Sequence, residues 1–292
     1  MKLANPGQDV IQSATNGDLA AIDTLLVTIQ PGIFNLAVRM LGNREDAADS
    51  TQEILLKVVT HLGGFRGESA FTTWVFQIAR NHLLTASTRS REHPEISLES
   101  IEEHLGAGLR FAATLDDPHG MEHSLTPEDK LEARQIALSC TQNMLMALNR
   151  EQRLAYLLDI VFGLSSDDAA NVLGIKAATY RQRLARARTI LEEFVRCSCG
   201  LANPEAACQC ERQLPGIRHI QSAEPNSKSV SLIATSRGEQ EESERNFNTL
   251  VRMSDAAALF RSHPTYRAPD SMISAVRAVL RIEGYWSDGS IH

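Results

Sequence analysis

Three groups of residues in this chain have types and spacings suited to chemistry. Cys197, Cys199, Cys208 and Cys210 form a C-x-C, eight residues, C-x-C arrangement. Thiolates at that density can hold Zn(II), or a softer ion such as Cu(I), in a four-sulfur metal site. The C-x-x-C spacing of zinc knuckles is missing, so redox switching and inert thiols stay open as alternatives. His219 could substitute as a ligand, although a lone histidine is usually just solvated. Cys140 stands apart and reads as a core residue. Ahead of the cysteines, Lys176, Arg181, Arg183, Arg186, Arg188 and Arg196 face only Glu192 and Glu193, a local net charge of +4. Arginine and glutamine bond guanine and adenine edges, and arginine also holds phosphate. The third group is the loop Arg66-Gly67-Glu68-Ser69, followed by Phe71, Thr72, Thr73 and Trp74, with Arg80 and Asn81 farther on. Aromatics stack on unpaired bases, and short polar loop residues bond a flipped base. Phe71 and Trp74 are three residues apart, a spacing that more often belongs to a core than to a base platform.

Each group needs an element to aim it. Ser165 and Asp168 form a capping-box pattern for a short helix ending at Leu173. Gly174 makes a tight turn, and a longer helix spans 177–196. These are helix-turn-helix proportions. At ~100° per residue, Tyr180, Leu184, Ala187 and Leu191 line the buried face of the long helix. Ala178, Gln182, Ala185 and Thr189 point the other way, flanked by Arg181, Arg186 and Arg188. A helix over 45–62 buries Ala48, Thr51, Ile54, Leu55, Val58, Val59 and Leu62. Its opposite face carries Asp49, Gln52 and Glu53, with Leu56 between them. An apolar residue on a polar face often marks a partner site. Gly63-Gly64 ends this helix, and the next spans 71–87.

The remaining punctuation is weaker. Residues 1–32 read as one or two short helices ending at Pro31-Gly32, with a further helix over 33–41 stopped by Gly42-Asn43. Residues 88–125 read as an acidic linker with at most a helical turn around Leu98, Ile101 and Leu105. Thr126, Pro127 and Asp129 suit the N-cap, N1 and N3 positions of a helix running to Leu148. Asn149 and Gln152 cap the next, which Gly163 ends. Residues 220–245 have a disordered composition, and helices are expected over 246–262 and 270–283.

Length and composition agree with this. The chain has 292 residues, room for about two domains. Apolar content is 43%, aromatic content only 5%, and alternating β-type runs are scarce, so the expected fold class is all-α. No run of ~18 apolar residues stands out, so no membrane insertion is expected. The N-terminus lacks a signal-peptide pattern, which predicts a cytoplasmic protein. Net charge is −7, which argues against nucleic acid until its distribution is considered. Glu92–Ser124 holds eight acidic residues and one basic one, also −7. Local charge decides where phosphate binds.

The blocks Asp46-Ala47-Ala48-Asp49-Ser50-Thr51-Gln52-Glu53, Phe65 through Trp74, and Ile78-Ala79-Arg80-Asn81 resemble region 2 of bacterial RNA polymerase sigma factors. The subgroup they are most similar to is the extracytoplasmic-function (ECF) type of the sigma-70 family. Residues 127–195 resemble region 4 of that family. The resemblance implies that Asp49, Gln52, Glu53 and Leu56 dock on the β′ clamp helices of core RNA polymerase. It implies that Arg66, Gly67, Glu68, Ser69, Phe71, Thr72, Thr73 and Trp74 capture a flipped −10 base, with Arg80 and Asn81 bordering that element. It places Lys176, Ala178, Thr179, Arg181, Gln182 and Arg186 on the −35 recognition helix, near the β flap. The acidic linker matches the interdomain segment. Asn149 stands where the family often has Pro, and Tyr180 replaces a small aliphatic residue.

The expected organisation is therefore 1–90 for region 2, 91–125 for the linker, 126–196 for region 4, 197–219 for the cysteine-rich segment and 220–292 for an extension. The expected function is promoter-specific transcription initiation by a non-enzymatic factor with no catalytic residues and no required cofactor. Zn or Cu in the tail and an anti-sigma factor are further expected partners. The alternative is a stand-alone helix-turn-helix regulator with a thiol metal sensor, which would have no need of the 46–81 block.

Overall fold

The structure is a computed structural model that describes residues 2–86, 96–115, 125–223, 235–250, 256–282 and 284. Among the described residues every regular element is a helix, as an all-α fold requires. Contacts divide the chain into two compact units. Unit 1 draws on Met1–Glu92, Leu154–Arg183 and Thr265–His292; unit 2 draws on His93–Arg153 and Leu184–Pro264.

Unit 1 is built on α1 (Gln8–Thr15), α2 (Leu19–Leu41), α3 (Arg44–Thr60) and α4 (Phe71–Ala86). Asp18 caps α2 through bonds from the Ala20 and Ala21 amides to its carboxylate, and Asn43 caps α3 in the same way. Between them Gly42 adopts φ 71°, the left-handed conformation that ends a helix at least cost in glycine. The break expected at Pro31-Gly32 does not occur, because α2 runs straight through both residues. Proline inside a helix forfeits one backbone bond and costs ~3 kcal/mol. Burial offsets that here: Leu25, Leu26, Ile29, Ile33, Leu36 and Ala37 are all fully buried. Gly32 serves close approach rather than breaking, since a Cβ there would lie 2.5 Å from Leu3 Cδ1. The continuous α2 is also long and apolar enough, by length and composition, to cross a membrane. That revises the expectation of no such run, yet 67% of its apolar window is buried inside the protein, as befits a core helix.

Two segments distant in sequence complete unit 1. One ends α7 (Arg150–Tyr156) in a π-helical turn at Leu157–Val161, which Gly163 closes at φ 68°. It continues into α8 (Ser166–Leu173) and the start of α9 (Ala177–Ser198). The other, from Thr265 to α13 (Met272–Ile282), packs on α2 and α3.

Unit 2 contains α5 (Leu98–Ala112), α6 (Pro127–Ala147), α10 (Leu214–Ala223), α11 (Arg237–Leu250) and α12 (Ala256–Arg261). The capping box at Thr126 and Asp129 forms as expected, with Pro127 in the first turn. The expected single turn in the linker is instead the four-turn helix α5, capped reciprocally by Ser97 and Ser100. Gly106 and Gly108 made this segment read as loop. Gly108 in fact lies against Gly216 of α10, where a Cβ on Gly216 would come within 2.7 Å of the Gly108 Cα. The disorder expected over 220–245 is corrected over 220–223, which belong to α10, and over 237–245, which belong to α11; of the expected helix over 246–262, 246–250 belong to α11, 256–261 to α12, and 251–255 lie outside the described residues. Residues 87–95, 116–124 and 224–234 lie outside the described part, and with them most of the acidic charge expected of the linker.

Candidate nucleic-acid and polymerase interfaces

The helix-turn-helix forms from the residues that its punctuation predicted. Ser165 Oγ accepts from the Asp168 amide at 3.1 Å and donates to its carboxylate at 2.6 Å. Gly174 turns the chain at φ 63°. Tyr180, Ala187 and Leu191 are fully buried and Leu184 nearly so. The Tyr180 hydroxyl donates to the Ala155 carbonyl at 3.0 Å. An unusually large residue at this position is thus accommodated with its polar atom satisfied. Lys176, Ala178, Thr179, Arg181, Gln182 and Arg186 are all exposed. This row combines small residues, which allow close approach, with planar donors suited to base edges and phosphate.

On α3, Ala47, Thr51, Ile54, Leu55 and Val58 are fully buried, while Asp49 and Glu53 are exposed. Gln52 and Leu56 are half-buried. Ala48, expected in the buried stripe, is also only half-buried. The α3 face is therefore polar at its rim with one accessible leucine.

The loop before α4 presents Arg66, Gly67 and Glu68 to solvent, with Ser69 half-buried. Behind it Phe65, Phe71 and Trp74 form an aromatic cluster with ring centroids 5.3–5.6 Å apart. Phe71 and Thr73 are buried, so they support the loop from beneath, while Thr72 and Trp74 stay half-exposed. Asn81 is exposed. Arg80 lies beside the turn glycine, its guanidinium 3.7 Å from where a Cβ of Gly174 would stand. Here α4 packs on the helix-turn-helix: Gln77 Nε2 donates to the Asn171 carbonyl at 3.1 Å, and Phe76 meets Phe162 edge to face at 5.3 Å. Sequence reasoning did not foresee that contact, which is carried by apolar residues indistinguishable from ordinary core.

Known proteins share both halves of this arrangement. The pattern of sigma-70 region 2 matches residues 25–92 and that of sigma-70 region 4 matches residues 138–191. The RNA polymerase sigma-H factor of Pseudomonas aeruginosa is 30% identical over 190 residues, covering 64% of this chain and 92% of that protein. The chain belongs to the sigma-70 family, in its ECF group. The ECF RNA polymerase sigma-E factor of Haemophilus influenzae is 29% identical over 195 residues, covering 64% of this chain and 94% of that factor. A solved structure of the sigma factor RpoE from Bartonella quintana, in complex with the anti-sigma factor NepR, is 23% identical, covers 59% of this chain and 94% of that one, and has a TM-score of 0.39.

The sigma factor's cysteines are arranged differently from the expected four-sulfur site. Cys197 is exposed, on the last turn of α9. Cys199, Cys208 and Cys210 instead line a small apolar cavity together with Cys140 of α6, Leu105, Met144 and Phe194. Cys140 is thus not an isolated core residue but the fourth thiol of that cavity. The Gly200 amide donates to the Cys208 carbonyl at 2.8 Å, which holds the two cysteine-bearing segments side by side. Burial pushes the thiols of Cys140, Cys199, Cys208 and Cys210 above the ordinary thiol range, so they are neutral at physiological pH. His219 stacks on Phe111 at 4.0 Å and takes no part. Among the described residues no three His, Cys, Asp or Glu side chains are grouped closely enough to hold a metal ion. The Cys197, Cys199, Cys208 and Cys210 set is therefore corrected: C-x-C on a helix end sends alternate side chains to different sides.

Proposed function

We propose that this sigma factor binds core RNA polymerase through the Asp49, Gln52, Glu53 and Leu56 face of α3 and directs promoter-specific initiation in the cytoplasm. The −35 element is read by the exposed row of α9, and the −10 element is opened by the 66–69 loop with Trp74. The observation that carries this is the presence, in one chain of the family, of a base-reading helix and a separate aromatic-backed loop. A stand-alone regulator would use only the first. We assign 1–90 to region 2, 91–125 to the linker and 126–196 to region 4. No catalytic step is assigned, and initiation needs no cofactor from this chain. Run-off transcription with purified core polymerase and a candidate promoter is the direct test, and no promoter-dependent product would refute the reading.

The contact between α4 and α8 bears on how the factor works. Promoter elements named −10 and −35 lie roughly 25 base pairs, about 85 Å, apart along B-form DNA. Arg80 and Gly174 cannot both stay together and face their elements. The two readers must separate before both engage DNA. A Trp74→Ala variant is expected to bind core polymerase normally yet fail on duplex promoters. A promoter already unpaired at −10 should rescue it at least partly, because the unstacking cost of a few kcal/mol has been removed beforehand. Equal failure on both templates would make Trp74 merely structural.

A further inference from the structure

Helix α13 is amphipathic: Met272, Val276 and Leu280, one every fourth residue, are its buried side chains. It packs against α3. Two contacts to α2 set its level. Gln30 Nε2 donates to Met272 Sδ at 3.6 Å, and Arg277 Nε donates to the Asp23 carboxylate at 2.6 Å. Because α2 and α3 are joined by a tight turn and run antiparallel, Gln30 stands level with the C-terminal half of α3 and Asp23 level with its end.

At that level one flank of α3 is already taken, since Lys57 Nζ meets His82 Nδ1 of α4 at 3.0 Å. Thr51, Ile54 and Val58 form the central buried face. At ~100° per residue, the flank left for α13 carries Gln52, Leu55 and Val59, and adjoins Leu56. Leu55 is fully buried and Val59 nearly so, although both lie to one side of the central face.

The connection into α13 is anchored at its start and exposed beyond it. Tyr266 is fully buried; its amide donates to Asn35 Oδ1 at 2.9 Å and its carbonyl accepts from Asn35 Nδ2 at 2.8 Å. The Arg39 and Arg44 guanidiniums stand over its ring at 5.0 and 5.6 Å. Arg267, Pro269, Asp270 and Ser271 are then exposed, with the Arg267 carbonyl accepting from Arg44 Nη2 at 2.7 Å and that of Pro269 from the Met272 amide at 3.0 Å. The holds on the helix itself include three apolar side chains, the Gln30–Met272 contact and a partly exposed ion pair, and such pairs contribute little.

We propose that α13 is a displaceable, in-chain cover over the Gln52 and Leu56 edge of the core-polymerase docking surface on α3, hinged at Tyr266. It rests on the assignment of Gln52 and Leu56 to that surface. Core polymerase must displace α13, so its apparent affinity is reduced by the fraction of molecules in which the helix is seated.

The test uses the full chain with Val276→Asp and Leu280→Asp, which places carboxylates where α13 is buried and leaves Tyr266 untouched. Protease sensitivity within 272–282 reports release of the helix. Affinity for core polymerase should then rise about tenfold. Unchanged or weaker affinity with the helix released overturns the proposal. If that variant does not fold, a chain ending at Ser271 is measured with the same expectation. Hydrogen exchange on the wild-type chain gives an independent reading. The α13 amides should lose protection when core polymerase is added, and retained protection overturns the idea. A Gln52→Ala, Leu56→Ala variant separates this from the docking assignment. If it binds core polymerase as well as wild type, the surface itself is misplaced; if it binds weakly while α13 release has no effect, only the cover is wrong.

Discussion

Replacing both Arg181 and Arg186 with Ala is expected to abolish measurable −35-dependent transcription while leaving the helix intact. Both side chains are exposed on α9, and its packing stripe of Tyr180, Leu184, Ala187 and Leu191 lies on the other side. Alanine is a better helix former than arginine, so folding loses nothing. A bidentate base contact is worth about 1–3 kcal/mol, and two lost together amount to a factor of roughly 30 to 20,000 in promoter affinity. The single variants separate the roles. An arginine that reads a base should relax preference at one position. An arginine that grips phosphate should weaken all sequences alike and lower the salt dependence of binding. Binding to −35 duplexes of systematically varied sequence distinguishes the two. A double variant with unchanged promoter affinity would mean that another face of α9 meets DNA.

This row was legible in the sequence because everything that positions it is local. A serine cap, a turn glycine and a helical period fix the orientation of α9 within thirty residues. The same holds for α3, whose polar and apolar faces follow from spacing alone. What escaped was decided by partners far away in sequence. Pro31 and Gly32 look like a stop signal, and only the surrounding burial shows why α2 continues. Gly106 and Gly108 look like a linker until Gly216 is placed against Gly108. Cys140 looks solitary because the other thiols of its cavity are more than fifty residues downstream. Nothing local distinguishes Phe76 and Phe162, which join α4 to the helix-turn-helix segment, from any other core pair. The extension read as unassigned sequence because Tyr266 finds its hydrogen-bonding partner more than two hundred residues upstream.

Arg153 is the residue whose loss should cost unit 2 most stability, and its charge gave no hint of this. It lies in the first turns of α7, only 5% exposed. Its Nε donates to the Leu145 carbonyl at 2.8 Å, and Nη2 donates to the carbonyls of Met146 and Leu148 at 2.7 and 2.9 Å. All three lie at the end of α6, where carbonyls run out of intrahelical partners, although that of Leu145 also accepts from the Leu148 amide at 3.2 Å. One guanidinium therefore caps α6 and ties it to the start of α7. Burial lowers the pKa of Arg153 to about 10, which still leaves it charged at neutral pH. Arg153→Ala strands the Met146 and Leu148 carbonyls in a largely dry site, and the expected destabilisation is about 2–6 kcal/mol. Against a typical total of about 5–15 kcal/mol, that should unfold a large fraction of molecules or lower the thermal midpoint by many degrees. Lysine keeps the charge but lacks the planar fork, so Arg153→Lys should recover only part of the loss. Denaturant titration followed by circular dichroism gives both numbers. A loss below about 1 kcal/mol for the alanine variant would show that water can serve these carbonyls equally well. The stability at stake has a functional consequence, because α7 carries Ala155, whose carbonyl receives the Tyr180 hydroxyl beneath the recognition helix. Weak −35 binding in Arg153→Ala, with Arg181 and Arg186 still present, is therefore expected to track the unfolded fraction and to recover on cooling toward the temperature of maximum stability.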